Sequence, residues 1–203
     1  FVQAAKRAGV KHIVKLSVVG ARLEQGILLG RQHGSVEKLI EESGLGWTHL
    51  RPTFFMQNFV NYYGVDLSKP ESTFYLPHGD SKTSWVDAKD VGEAAAVALT
   101  SAGHEGKAYD LTGPEALSDA EVAALFAKAT GKQIHYVAVP DAAAREAMTS
   151  MGSPGWLVDG FMELHGIIKA GYAADVATGV DLVLGRKPRS FAEYLAELTS
   201  AAR

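Results

Sequence analysis

Two side chains in this sequence are candidates for moving a proton, Ser17 and His33. An imidazole has an unperturbed pKa close to neutrality, so His33 could give or take a proton under ordinary conditions. Ser17 places a hydroxyl at the end of an apolar-rich stretch that begins at Val10. Each residue also has a structural explanation, since Ser17 could simply end a strand and His33 could be a hydrogen-bonded residue of a helix. The residues alone leave both explanations open.

A second segment offers apolar surface for a flat ligand. Phe54, Phe55 and Met56 are consecutive, and aromatic rings with a thioether make a flat and adaptable lining. An aromatic substrate ring would suit such a lining, although Phe55 could equally pack in the core. Asn58 could orient a carbonyl group or start a helix.

The elements around these residues predict an α/β fold. An apolar stripe at helical spacing predicts a helix from Leu28 to Gly44. The residues at that spacing are His33, Val36, Glu37, Leu39 and Ile40. A buried strand, Trp47–Leu50, follows almost without a loop. Such a short step is typical of an α/β sheet, where ligands gather at the carboxyl ends of the strands. We therefore expect the segment 51–58 to lie at such an end.

Other signals place the remaining elements. Capping boxes predict helix starts at three places, which are Asp90–Glu93, Ser118–Glu121 and Ser190–Glu193. Further strands are expected over Val10–Ser17, Phe74–Pro77, Lys107–Thr112 and Lys132–Val139. A mobile loop is expected from Arg22 to Gly26, before the central helix.

Composition excludes several classes of protein. With 203 residues, 47% of them hydrophobic, the chain can bury one sizeable core, in one domain plus a lobe. Its net charge is -3 and it has no basic run, so nucleic acid is not an expected partner. It has no cysteine, which rules out disulfides and suits a cytoplasmic location. The sequence has no apolar run long enough for a membrane span and no metal-ligand spacing, so we expect neither membrane nor metal binding.

Four segments together resemble a known family. They read AAKRAGVKHIVKLS near the start, RPTFFMQN at 51–58, then SWVDAKDVGEAAAVALT and KAYDLTGPEALSDAEVA. In this order and spacing they are similar to the NmrA-like atypical short-chain dehydrogenase/reductases, including the NAD(P)H:quinone oxidoreductase-like members. The resemblance implies a Rossmann-type parallel sheet that binds NADP or NAD, with NADPH slightly favoured, and a small α+β substrate lobe. It assigns residues 1–60 to the cofactor domain and 61–203 mainly to the lobe, with segments around 84–112 returning to the main sheet.

The resemblance also implies roles for single residues. The residues expected at the cofactor are Ser17, Val18, Val19, His33, Pro52, Thr53, Phe54 and Phe55. Those expected at the substrate are Phe55, Met56, Asn58, Trp156 and Phe161. The last two lie on a stripe of apolar residues that is more often core than ligand site.

Two departures from the family pattern limit what the resemblance implies. Conventional members carry Tyr-x-x-x-Lys on the central helix, whereas alignment on Gly30 places Leu29 and His33 there. Because Leu cannot donate a proton, a quinone-like or enone-like acceptor suits the chain better than a ketone, with His33 and Ser17 as the catalytic candidates. The sequence also lacks a glycine-rich phosphate turn, so we expect a fragment of a longer protein; the alternative is a protein without a nucleotide-binding half.

The predicted function is therefore an NAD(P)H-dependent reductase that transfers hydride to a small molecule. The alternative is a non-catalytic NAD(P)-binding redox sensor of the NmrA type, which the missing tyrosine would explain. An isomerase or reductase of aromatic secondary metabolites would share the same fold. A homodimer is left open.

Overall fold

The computed structural model describes residues 1–21 and 26–201. The loop predicted from Arg22 to Gly26 falls mainly on residues 22–25, outside the described part of the chain. The described residues form two compact units. Unit 1 comprises residues 1–53, 88–112 and 177–188, and unit 2 comprises residues 54–87, 113–176 and 189–203.

Unit 1 contains a parallel sheet flanked by helices. Its strands are β1 (His12–Leu16), β2 (Gly46–Pro52) and β5 (Lys107–Leu111), and its helices are α1 (Val2–Arg7), α2 (Leu28–Glu41), α4 (Ala88–Thr100) and α8 (Gly179–Leu184). The strand order is β1-β2-β5, with both pairs parallel. Leu16 of β1 pairs with Leu50 of β2. The three strands therefore present their carboxyl ends at the same edge, which we call the carboxyl edge.

Unit 2 contains two small sheets and a helical remainder. Its strands are β3 (Glu71–Leu76), β4 (Lys82–Thr83), β6 (Leu117–Ser118) and β7 (Gln133–Ala138). Its helices are α3 (Asn58–Asn61), α5 (Asp119–Thr130), α6 (Asp141–Ser150), α7 (Gly155–Lys169) and α9 (Phe191–Ala201). Strands β3 and β7 pair in parallel, and β4 and β6 pair antiparallel. The two capping boxes predicted here are confirmed, because Ser118 and Glu121, and likewise Ser190 and Glu193, bond reciprocally.

The core of unit 2 is aromatic, and Phe59 lies at its centre. The Phe59 ring is fully buried and its centroid lies between 4.7 and 6.0 Å from those of five other rings. These rings belong to Tyr63, Phe74, Trp85, Phe126 and Phe191. Most of the pairs meet edge to face, the arrangement that aromatic quadrupoles favour.

The third predicted capping box is wrong. Helix α4 begins at Ala88, so Asp90 lies inside its first turn. The buried Asp90 carboxylate accepts a hydrogen bond of 2.7 Å from Arg186, which also reaches Glu93 at 2.5 Å. The sequence pattern thus marked a tertiary ion pair between segments 96 residues apart.

Candidate functional site

Helix α2 meets the sheet of unit 1 through charged and polar side chains. His33, Glu37 and Glu41 follow one another at a spacing of four residues, which places them on one face of the helix. Their hydrogen-bonding partners come from β1, from its carboxyl end and from β2. We call the whole set the polar seam: Lys15, Ser17, His33, Glu37, Glu41, His49 and Arg51.

Glu37 is the centre of the polar seam. Arg51 donates from Nε to Oε1 of Glu37 at 2.9 Å and from a terminal nitrogen to Oε2 at 2.5 Å, a bidentate pair. Ser17 Oγ donates to Oε1 of Glu37 at 2.5 Å. Burial raises the pKa of Glu37, but the hydrogen bonds from Arg51 and Ser17 outweigh it and lower the pKa to about 2. Glu37 is therefore an ionised carboxylate that holds the ends of β1 and β2 to α2.

The predicted apolar stripe of α2 is wrong for two of its members. Glu37 and Ile40 are buried and His33 is half-buried, but Val36 and Leu39 are 44% and 56% exposed. The reason is that the ion pair with Arg51 turns the Glu37 face of the helix toward the sheet. Val36 and Leu39 then project away from it.

His33 lies at the other end of the polar seam, where it bonds to Lys15. Lys15 Nζ lies 3.0 Å from His33 Nδ1 and donates to the carbonyl of Leu16 at 3.2 Å. Burial and the charge of Lys15 lower the pKa of His33, while Glu37 acts in the opposite direction. Burial also lowers the pKa of Lys15, partly offset by Glu37. His33 is thus favoured as a neutral imidazole next to a cation.

The remaining histidine of the polar seam is buried. His49 Nε2 lies 3.1 Å from Glu41 Oε1, and the ring stacks on Trp47 with centroids 4.6 Å apart. Glu37, Glu41 and His49 lie close enough together to hold a cation. However, both oxygens of Glu37 already bond to Arg51, whose positive charge opposes a second cation. The donor set therefore fits a structural ion-pair network better than a metal site.

The residues predicted at the cofactor from unit 1 lie at the carboxyl edge. Val19 donates its backbone N–H to the carbonyl of Pro52 at 3.2 Å, and Thr53 donates to that of Leu111 at 3.0 Å. Val18, Val19 and Thr53 are half-buried, whereas Pro52 is buried. These strand ends and the half-buried His33 therefore belong to the same unit. The side chain of Ser17, which was also predicted at the cofactor, is buried.

A glycine lets α2 approach the loop after β1. A Cβ at Gly30 would lie only 3.2 Å from the carbonyl oxygen of Gly20. A larger residue at position 30 would push the helix away from the loop. Gly30 thus helps to set where His33 lies relative to the end of β1.

The residues predicted at the substrate lie in unit 2. Phe54 packs edge to face against Trp85, and both Phe54 and Phe55 are half-buried. Met56 is only 1% exposed and belongs to the core, so a ligand could reach it only if that core opened. Asn58 is half-buried, begins α3, and its side chain bonds to Tyr63.

The two predicted residues of α7 are accessible. Trp156 is 73% exposed and Phe161 is 39% exposed. Both are available on the surface of unit 2 for a ligand. Their contact with a substrate stays a prediction.

A second histidine network lies within unit 2. His78 Nδ1 is 2.8 Å from Asp119 Oδ2, and its Nε2 is 2.8 Å from His165 Nδ1. All three side chains are buried. Burial lowers the pKa of His165 to about 4, and His78 contributes in the same direction. The network ties together the turn after β3, the start of α5 and the C-terminal half of α7.

Comparison with known proteins identifies the family. A family model described as the NmrA-like family matches residues 1–195. The chain belongs to the NmrA-like family. Among its relatives is an NAD(P)H azoreductase from Xenophilus azovorans, which is 44% identical over 95% of this chain and 67% of that protein.

Solved structures agree with this assignment. An NADPH-dependent quinone oxidoreductase from Escherichia coli, crystallised with NADPH, is 30% identical with a TM-score of 0.83, over 98% of this chain and 69% of that one. NmrA, a negative transcriptional regulator solved with NADP, has a TM-score of 0.71 at 20% identity, over 99% of this chain and 68% of that one. The NmrA-like chain thus spans about two thirds of the length of each relative.

These findings confirm several predictions made from the sequence. The family and the α/β fold with a Rossmann-type parallel sheet are confirmed. The names of the relatives agree with the expected reductase class and the expected cofactor, since one is an NAD(P)H azoreductase and another is a quinone oxidoreductase solved with NADPH. Among the residues that the structure describes, none of the helices is both long and apolar enough to cross a membrane.

The partners of His33 and Glu37 in this NmrA-like chain were not predicted from the sequence. Lys15 lies in a segment that the sequence predicts only as a strand, and Arg51 lies at the end of another. One signal could have found them: His33, Glu37 and Glu41 are ionisable at a constant spacing of four residues, and each neighbouring strand carries a cation, Lys15 in β1 and Arg51 in β2. A helix with such a face must find its partners on the element it packs against.

Proposed function

We propose that this NmrA-like chain belongs to an NAD(P)H-dependent reductase of planar conjugated acceptors, quinone-like or enone-like compounds and azo compounds. The observation that carries this proposal is the 44% identity to an NAD(P)H azoreductase along 95% of the chain. Quinones, enones and azo compounds share a conjugated π-system that is electrophilic without prior protonation. Such acceptors demand less of the protein than a ketone does, in keeping with Leu29 at the position of the conventional tyrosine.

The chemistry of the carboxyl edge supports a nicotinamide at this place. Val18 and Val19 offer half-buried apolar surface for a ring, and His33 with Lys15 offers donors for ribose or carboxamide oxygens. When bound, the nicotinamide would supply a hydride. These residues fit the nicotinamide end of the cofactor, so we assign Ser17, Val18, Val19, His33, Pro52 and Thr53 to that end.

The acceptor would be held by the flat side chains predicted for it. Phe54 and Phe55, with Asn58, Trp156 and Phe161 from the same unit, are accessible enough to contribute, whereas Met56 would support them from the core. His33 is the group we assign to proton donation. Ser17 already gives its hydroxyl proton to Glu37, so its part in the reaction would be to hold that carboxylate in place.

Steady-state turnover tests the proposal. The purified protein that contains these residues should oxidise NADPH or NADH in the presence of a benzoquinone, an enone or an azo dye, measured by the loss of nicotinamide absorbance. Cofactor binding, followed by tryptophan fluorescence, serves as the control. Saturable binding without oxidation by any acceptor would contradict the reductase and favour the redox sensor.

We also propose that the protein is located in the cytoplasm. Size-exclusion chromatography would decide between a monomer and a homodimer.

A further inference from the structure

We propose that Lys15 is the proton reserve for His33, forming a two-step relay from Lys15 Nζ through the imidazole to the reduced acceptor. This inference rests on the proposed function, because it concerns the proton that accompanies the hydride. It assigns a role in proton supply to Lys15, a residue of β1 to which the family resemblance assigns none. The relay is contained in unit 1.

The hydrogen bonding sets the tautomer of His33. An ammonium group has three donors and no lone pair, so Lys15 can only donate to His33 Nδ1, 3.0 Å away. A second Lys15 hydrogen is given to the carbonyl of Leu16 at 3.2 Å. With Nδ1 accepting, a neutral His33 must carry its proton on Nε2. No residue in the described part of the chain bonds to Nε2, so this N–H is available to a ligand.

A neutral imidazole cannot act alone as an acid, because loss of the Nε2 proton would leave an imidazolate. The neighbouring ammonium removes this difficulty. As the Nε2–H bond breaks and a new bond forms to the oxygen or nitrogen of the acceptor, the Nζ–H bond breaks and Nδ1–H forms. The nicotinamide is oxidised by loss of a hydride, the acceptor gains that hydride and one proton, and Lys15 is left as a neutral amine.

The relay resets with one proton from water. Nε2 takes this proton, Nδ1 returns its own proton to Lys15, and the starting tautomer is restored. Both residues remain bonded throughout, so the cycle requires only proton transfers within one hydrogen bond and at Nε2 of the imidazole.

The charges around the pair suit this transfer. Glu37 from α2 and Arg51 from β2 are the charged neighbours that act on it, and they neutralise each other as a bidentate pair. Burial lowers the pKa of Lys15, with Glu37 opposing and Arg51 assisting the shift. Burial and Lys15 also lower the pKa of His33. Lys15 is thereby made a better acid, while His33 stays neutral between turnovers.

Two substitutions separate the relay from simple positioning. Lys15→Arg keeps a donor for Nδ1, but a guanidinium does not give up its proton in proteins. Lys15→Met removes both the donor and the proton. Lys38→Met is the matched control, because Lys38 is an exposed lysine of α2 that pairs with Glu42 on the surface.

Two measurements on these variants test the relay, and the first needs no cofactor. Nitrogen NMR of isotope-labelled histidine, with His33→Gln to assign the signal, should show the Nε2–H tautomer in the parent protein and in Lys15→Arg, but a mixture in Lys15→Met. In turnover with a quinone, both Lys15 variants should lose kcat by about a hundredfold, with a smaller solvent isotope effect, while Lys38→Met matches the parent.

Each contrary result has a distinct meaning. An Nδ1–H tautomer in the parent protein overturns the relay, whatever the turnover. Full turnover by Lys15→Arg also overturns it, leaving Lys15 as a group that only positions His33. If the parent protein binds cofactor but reduces no acceptor, the proposed function fails and the relay fails with it. Retention of the tautomer in Lys15→Arg together with loss of kcat supports the relay.

Discussion

In unit 1 the helix α2 is held to the sheet by an ion pair and hydrogen bonds, whereas unit 2 is built around the ring of Phe59. The buried face of α2 presents Glu37 to Arg51, and its apolar Val36 and Leu39 point away from the sheet. The ring of Phe59 instead lies among five other aromatic rings. Apolar packing supplies stability without direction, while hydrogen-bonded charges fix the orientation of particular side chains. The polar seam therefore lies in the unit where, in the proposed reaction, the orientation of the His33 side chain matters most.

Loss of the Phe59 ring is the largest effect that we expect. Phe59→Ala should lower the free energy of unfolding by about 3–5 kcal/mol, because the ring is fully buried and its removal leaves a cavity between five others. Urea unfolding monitored by circular dichroism measures it. Tyr62→Ala, at a residue that is 78% exposed, is the control and should change stability by less than about 0.5 kcal/mol.

Breaking the ion pair of unit 1 should have an effect almost as large, but one that a second substitution can reverse. Arg51→Met should cost about 3 kcal/mol, because it leaves the buried Glu37 carboxylate without its main partner. Replacing Glu37 by Met as well should restore most of that loss, since two apolar side chains can pack in place of a buried pair. The same unfolding measurement on the double variant decides it. A double variant as unstable as Arg51→Met would show that the seam is irreplaceable for folding.

The two units should also lose stability in different ranges of pH. The folded-state pKa of His165, about 4, is below its ordinary value of 6.5. Protons therefore bind more readily to the unfolded state, and the stability of unit 2 should fall by about 2–3 kcal/mol as the pH drops from 6.5 to 4. His165→Asn, which keeps a donor toward His78, should flatten this range in thermal unfolding measured against pH.

In unit 1, the ionisation of Glu37 should change the stability at lower pH than that of His165 does in unit 2. Its folded-state pKa of about 2 is below the ordinary 4.5, so its contribution is complete above pH 4.5 and is lost as the pH falls toward 2. Glu37→Gln should remove the dependence in this range only. A variant that flattened both ranges would contradict the assignment of the two groups to separate networks.

The smallest effect concerns a helix start in unit 2. Ser118→Ala should lower stability by about 1 kcal/mol, since the Ser118 hydroxyl accepts from the backbone of Glu121 in the capping box of α5. Chemical unfolding again measures the change. Ser35→Ala on α2 is the control, because its hydroxyl bonds back to the carbonyl of Arg31 within the same helix and its replacement should not destabilise the helix.

Local features were predictable from the sequence. The start of α2 at Leu28 was predictable, whereas its end at Glu41 comes three residues before the predicted Gly44, which takes a φ of +78° in the turn that follows. The capping boxes at Ser118 and Ser190 were predictable for the same reason. The carboxyl edge followed from the short step between α2 and β2.

Features that depend on distant partners were not predictable. Asp90 reads as a capping residue until Arg186 is placed beside it, and Lys15 reads as a strand residue until α2 brings His33 to it. The apolar stripe failed for Val36 and Leu39 because periodicity counts apolar residues and cannot anticipate a buried ion pair. Rules based on the local sequence pattern do not account for such long-range charge pairs.

The chain passes from one unit to the other after residues 53, 87, 112, 176 and 188. Unit 1 receives the buried Val180 and Val183 from α8, and unit 2 receives the buried Phe191 and Leu195 from α9. On the ribosome, therefore, neither core can close until these late segments have emerged from the exit tunnel. Until then, both nascent cores would expose apolar surface. We expect chaperones that bind nascent chains to hold this protein longer than one whose units are finished one after the other.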